Sequence, residues 1–154
     1  MRRRATALLV LLLPLLACSK ATDTPEAWIR ALLAQAERAA EGRDVSAVLE
    51  HVAQGYRDAE GRDRQAVRGL LVYVFLRNPQ IHLLTRVHEI AVDAPDQARV
   101  RVFVAMAGHP LGAAAALAEL RADLYRFDFA LGLEGDDWRV TSADWAPARS
   151  DDFL

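Results

Sequence analysis

At Asn78-Pro79 the chain changes its apolar period. Before that point apolar side chains recur about every 3.6 residues, the spacing that gives a helix one buried stripe. After it they alternate with a period of about 2, as in strands that bury one face. Helices first and a one-faced antiparallel sheet second make an α+β layout, with the helices covering the inner face of the sheet.

The helical half has three segments. Thr24 caps the first, Pro25 suits its first turn and Glu26 complements the positive end of its dipole. Trp28, Ile29, Leu32, Leu33, Ala36 and Ala40 form its predicted buried stripe, which Gly42 ends. Asp44 caps a shorter helix carrying Val45, Val48, Leu49 and Val52. A polar linker, "GYRDAEGRDR", leads to a third helix capped by Asp63, with Val67, Leu70, Leu71, Val74 and Phe75 as its apolar face. Gly69 inside that helix costs about 1 kcal/mol relative to Ala, which points to close packing there.

In the second half Ile81, Leu83, Thr85 and Val87 alternate, then the phase slips to Ile90 and Val92. Such a slip predicts a bulge at His88-Glu89. A turn over Asp93–Asp96 follows, then an inward row of Ala98, Val100, Val102, Val104 and Met106. Gly108-His109-Pro110 breaks this strand, and Leu111–Ala122 reads as a short helix between strands. Tyr125, Phe127, Phe129, Leu131 and Leu133 line the next strand, and Trp138, Val140, Ser142 and Asp144 share a phase on the last. If Leu133 pairs with Trp138, Phe129 faces Ser142 and Phe127 faces Asp144. Residues 147–154 read as a tail.

The start of the chain reads differently. Arg2, Arg3 and Arg4 precede an uncharged apolar stretch, Ala5–Ala17, shorter than the roughly 20 residues a spanning helix needs. This is the form of an export signal. A buried helix would show a polar face at helical period, and none is present. The stretch runs into Leu15-Leu16-Ala17-Cys18, which holds the only cysteine of the chain. Cleavage as an ordinary signal, at Ala17-Cys18-Ser19 or Ser19-Lys20-Ala21, would release a soluble protein.

Leu15-Leu16-Ala17-Cys18 resembles the lipobox of bacterial lipoproteins, although that family more often has a small residue where Leu16 stands. The resemblance implies removal of residues 1–17, a diacylglyceryl thioether on Cys18, three acyl chains in the mature protein and a tether over residues 18–24. Two or more chains hold a protein firmly to a membrane, where one holds it marginally. Ser19 stands where an inner-membrane retention signal would have Asp. By resemblance this places the protein on the periplasmic side of the outer membrane; inner-membrane attachment is the alternative.

With 154 residues, 53% hydrophobic and 26% charged, the chain has the composition of one globular domain. Its 19 basic residues, all Arg but Lys20, interleave with 21 acidic ones, and Arg2–Arg4 would leave with the signal. A nucleic-acid partner needs clustered basic charge and is excluded on this ground.

The order helix, helix, "GYRD" linker, helix, then hairpins of the form "VHEIAVDAPDQARVRVFV" and "FALGLEGDDWRVTSADW" resembles the nuclear-transport-factor-2-like superfamily, with its SnoaL-like members. The resemblance spans Pro25 to Trp145, within a domain taken as residues 25–146. It implies a cone: three N-terminal helices packed on a curved antiparallel sheet around a cavity. Isomerases, dehydratases, cyclases and binding or scaffold domains share that fold, so function rests on which polar residues point inward.

The candidate pocket comprises Trp28, Tyr56, Asp58, Tyr73, Tyr125, Phe127, Ser142 and Asp144. Asp144 is either a desolvated general base or an exposed carboxylate at a strand end. Asp58, beside Arg57 and Glu60, is either a base or a solvated turn residue, and Tyr56 either closes the cone or packs. His51, His82, His88 and His109 show no metal-binding spacing, and no nucleophile, nucleotide or dinucleotide motif is present, so no metal or cofactor is expected. Arg86, Arg99, Arg101, Arg126, Asp128, Arg139 and Thr141 mix signs on the outer sheet face, a surface for a second copy, a protein partner or water. The expected role is a membrane-anchored module for a small apolar ligand or for the cell envelope. A ketosteroid-isomerase-type enzyme and a scaffold are the alternatives.

Overall fold

The computed structural model describes residues 24–111 and 122–153. Three helices come first: α1 (Pro25–Glu41), α2 (Val45–Glu50) and α3 (Arg64–Arg77). Four strands follow: β1 (His82–Ala94), β2 (Gln97–Ala107), β3 (Asp123–Glu134) and β4 (Asp137–Pro147). The signal, Cys18 and most of the tether lie outside the described residues, as does the expected inserted helix apart from its ends, Leu111 and Ala122.

Each helix starts where a side chain can accept an otherwise unpaired amide. Thr24 Oγ1 accepts from Ala27 N at 3.2 Å, Asp44 Oδ1 from Ala47 N at 3.0 Å and Asp63 Oδ1 from Ala66 N at 2.9 Å. The strands form an antiparallel meander in the order β1-β2-β3-β4. Its inner face contributes Ala98, Val100, Val102, Leu131, Trp138 and Val140 to the main core. Ile29, Leu32 and Leu33 of α1, Leu49 of α2, and Val52 and Tyr56 of the linker cover them.

The first bulge lies where the phase slip required it. Val87 pairs with Val102 but Glu89 with Arg101, so His88 is the extra residue. It stays on the outer side, its ring 5.6 Å from that of Phe103. A second bulge corrects the expected phase of β4. Leu131 pairs with Val140, but Ala130 pairs with Ser142, so Thr141 is skipped. From there Asp144 lies opposite Asp128, and Ala143 and Trp145, not Ser142 and Asp144, stand opposite Phe129 and Phe127.

The free edge of β4 explains this bulge. Val140 N donates to His51 O at 2.8 Å, Ala53 N to Val140 O at 2.9 Å and Arg57 N to Thr141 O at 3.1 Å. The linker runs along that edge with a parallel bridge at Val52 and Val140. The extra residue turns the Thr141 carbonyl toward Arg57, and every later side chain of β4 changes face.

Four further expectations are corrected. Trp28 is 54% exposed, because the buried stripe of α1 runs through Ile29, Leu32 and Leu33 and leaves Trp28 on its flank in the first turn. Tyr73 is 55% exposed and Leu70 is also exposed, since α3 turns Phe75, Val67 and Leu71 inward. A Cβ on Gly69 would meet no atom within 4 Å, so close packing is not the reason for that glycine. The expected tail instead folds back: a 3-10 turn over Ser150–Phe153 seats Phe153, 2% exposed, against Phe103 and Ala105 on the outer sheet face.

Candidate functional site

The linker that sits on β4 also builds one wall of the inner face. After Arg57 it makes a tight turn: Asp58 N donates to Arg62 O at 3.2 Å, and Gly61 N to Asp58 O at 3.0 Å. Gly61 has φ of 77°, a left-handed conformation that glycine adopts without a Cβ clash. The Asp58 carboxylate fills the centre of this turn. Its Oδ1 accepts from Glu60 N at 3.1 Å and Arg62 N at 2.9 Å; its Oδ2 accepts from Arg62 Nε at 2.6 Å and the Tyr56 hydroxyl at 3.4 Å.

Asp58 is therefore buried, not solvated, and its lone pairs are committed. Burial alone would raise its pKa, but the Arg62 side chain and the turn amides together hold it below the ordinary carboxylate value. A base needs a free lone pair and a pKa near the working pH, and Asp58 has neither. Burial pushes the Tyr56 hydroxyl up to about 12, and the neighbouring Asp58 charge adds to the effect. Tyr56 remains a protonated donor within the core.

Arg62 connects this turn to the sheet. Its guanidinium carbon lies 4.1 Å from the Trp145 ring centroid while its other side holds Asp58 and Glu60. Trp145 begins a row of aromatic rings on the inner face of β3 and β4. Its ring centroid is 6.2 Å from that of Phe127, which stacks on Phe129 at 5.5 Å and 11° and lies 6.2 Å from Tyr125. Phe129 packs at the edge of the main core. Among the described residues, Tyr125, Phe127 and Trp145 are half-buried and belong to neither hydrophobic cluster. The inner face is thus divided: one half lies sealed under α1, α2 and the linker, and the other presents partly uncovered rings.

Of the candidate pocket residues, the fold brings Tyr125 and Phe127 together on the half-covered inner face, with Tyr56 and Asp58 behind Arg62 at its rim. Trp28 and Tyr73 are exposed on helices. Ser142 and the exposed Asp144 line a groove of about 290 Å³ on the outer face, with Glu89, Arg101 and Asp128. The charges of that face are largely paired within the chain: Arg99 with Asp93 at 2.8 Å, and Arg101 and Arg126 with Asp128 at 2.6 and 2.9 Å. Sequence reasoning missed Trp145 and Arg62. Trp145 needs the Thr141 bulge to reach the inner face, and Arg62 carries no local pattern. Among the described residues no three His, Cys, Asp or Glu side chains converge as a metal would require, and no helix is long and apolar enough to cross a membrane.

No family model and no curated protein sequence matches the chain. Solved structures do. A nuclear-transport-factor-2-like protein of unknown function from Shewanella oneidensis superposes with a TM-score of 0.58 at 16% identity, over 79% of this chain and 98% of that one. A ketosteroid isomerase-like protein from Erwinia carotovora atroseptica gives 0.59 at 14%, over 80% and 95%. Bd1075 of Bdellovibrio bacteriovorus gives 0.60 at 13% over 79% of this chain, which spans only 40% of that protein. The chain has a nuclear-transport-factor-2-like fold. At these identities the likeness concerns the fold alone.

Proposed function

We propose that the chain is a lipid-anchored periplasmic domain, held on the outer membrane through Cys18, that binds a small apolar ligand on its aromatic row. The observation that carries the binding half is the position of Tyr125, Phe127 and Trp145: large rings on the inner side of the sheet, half-buried, outside either core cluster of the described residues. Core aromatics are normally sealed, and a partly uncovered aromatic surface beside the core is a surface a small apolar ligand can cover. Arg62 is neutralised by Asp58 and Glu60, so among the described residues it offers no free charge at this rim to an anionic ligand. An isomerase-type role needs a free inward carboxylate, and neither Asp58 nor Asp144 supplies one. The anchoring half is supported by Arg2–Arg4, the apolar stretch and Leu15-Leu16-Ala17-Cys18.

Titration with the neutral dye N-phenylnaphthylamine tests the site. Wild-type protein should enhance its emission, and Phe127→Ala and Trp145→Ala should each weaken binding about tenfold or more, the loss expected for one aromatic contact surface. Trp28→Ala should leave it unchanged. Equal binding by wild type and Phe127→Ala would sink the proposal. For the anchor, Cys18→Ser should remove the acyl groups and so change the mass and the detergent partitioning of the mature protein; unchanged mass and partitioning reject it.

A further inference from the structure

Helix α3 is apolar on two sides. Phe75 is buried, and Val67 and Leu71 pack on the main core. Yet Leu70, Tyr73 and Leu76 recur at a spacing of three on the opposite side, exposed by 41, 55 and 77%. Val72 beside them is exposed as well, so four of the six exposed large hydrophobic residues among those described lie on this one helix. A surface helix ordinarily turns a polar face outward, and a contiguous apolar stripe marks a surface that meets something.

Charge identifies what it meets. Arg64, Arg68 and Arg77 lie on α3 and no Asp or Glu does, whereas α1 carries Glu26, Glu37 and Glu41 and α2 carries Glu50. Arg64 is partly used within the fold, on the carbonyls of Val52 and Leu49. Arg68 and Arg77 are exposed. Arg77 Nη1 donates to the Tyr73 hydroxyl at 2.9 Å, and its guanidinium carbon stands 5.5 Å from the Tyr73 ring centroid. An apolar ring joined to a charged head in mid-stripe suits a lipid interface, where the ring enters the acyl boundary and the charge stays among phosphates. A second copy laid on this face would set arginines against arginines.

We propose that α3 lays Leu70, Tyr73 and Leu76 on an anionic phospholipid surface, with Arg68 and Arg77 toward its phosphates. The contact stands on the exposed stripe and its charge, and does not require a lipid on Cys18. In the full chain carrying Cys18→Ser, a polarity-sensitive dye is placed through Leu76→Cys, or through Glu89→Cys on the outer sheet face as control. Each protein is mixed with vesicles of phosphatidylglycerol and phosphatidylcholine containing a lipid-borne quencher. The dye at position 76 should shift to the blue and be quenched, and the dye at position 89 should not. Arg68→Gln and Arg77→Gln should each weaken this partitioning about fivefold, as expected for one basic residue at an anionic surface. Equal quenching at the two positions overturns the proposal, and so does equal quenching at position 76 on purely zwitterionic vesicles. A failed anchor reading would leave the measurement unchanged, because Cys18 is absent from it.

Discussion

Asp58 organises its turn through its charge. Because its folded-state pKa lies below the ordinary carboxylate value, ionisation favours the folded state. That contribution is present above the ordinary carboxylate pKa of about 4 and is lost as the pH falls through the lower folded value. Asp58→Asn should therefore lower the midpoint of thermal unfolding at neutral pH, and the gap to wild type should narrow below about pH 4. A gap independent of pH would show that the ionised form is not what matters. Tyr56 behaves oppositely at the alkaline end. Its folded pKa is raised to about 12, so the fold loses stability as the pH rises from the ordinary tyrosine value toward 12. Tyr56→Phe should remove that slope, as chemical denaturation at several alkaline pH values would reveal. At Gly69 there is room for a methyl group, and Gly69→Ala should stabilise the protein by about 0.5–1 kcal/mol in equilibrium unfolding.

Among the elements, β4 depends most on partners distant in the chain. Its bulge at Thr141 sets which side chains face the aromatic row, and the position is crowded: a Cβ on Gly132 would lie 3.1 Å from Thr141 Cγ2. Gly132→Ala should destabilise the fold by about 1 kcal/mol or more, the usual cost of overpacking. In a Thr141→Ser background, which removes that methyl and keeps the hydroxyl that bonds Ala130 O, the cost should largely vanish. The last turn is also an element in its own right. Phe153→Ala should cost about 3–5 kcal/mol, as for a buried aromatic elsewhere, whereas a true tail would show no effect. Both features escaped the sequence reading for one reason. Alternation gives a strand's two faces only while the register is unbroken, and Phe153 sits in a stretch too short to have a period.

At the scale of the molecule, the two faces of the sheet are covered differently. Helices and linker seal half of the inner face and leave Tyr125, Phe127 and Trp145 partly uncovered, while the outer face pairs most of its charges and is covered at one end by Phe153. A ligand bound to the folded form alone raises stability by mass action, by about 2.7 kcal/mol at a hundredfold excess over its Kd. Saturating N-phenylnaphthylamine should therefore raise the melting temperature of wild-type protein and leave that of Phe127→Ala nearly unmoved. If α3 rests on the membrane as proposed and Cys18 carries the anchor, the short tether over residues 18–24 keeps the start of α1 within about 25 Å of the lipid and raises the effective concentration of the α3 face at the membrane, so a weak contact would suffice.

The order of helices and strands, the three caps and the bulge at His88 were all legible in the chain alone, because each is written in neighbouring residues: a period, an Asp or Thr before an apolar run, a slip of one position. Cys18 at the end of an apolar run is local in the same sense, and it carries the expectation of an anchor. The contents of the site were not legible. Trp145 and Asp144 exchange faces because Thr141 is skipped, and Thr141 is skipped where its carbonyl meets the amide of Arg57, far away in the chain. Asp58 appears in the sequence as one more polar residue of a linker, and becomes a buried, fully bonded carboxylate only when Arg62 and Tyr56 close on it. Local pattern determined the elements; hydrogen bonds between distant segments decided which side chains the inner face presents.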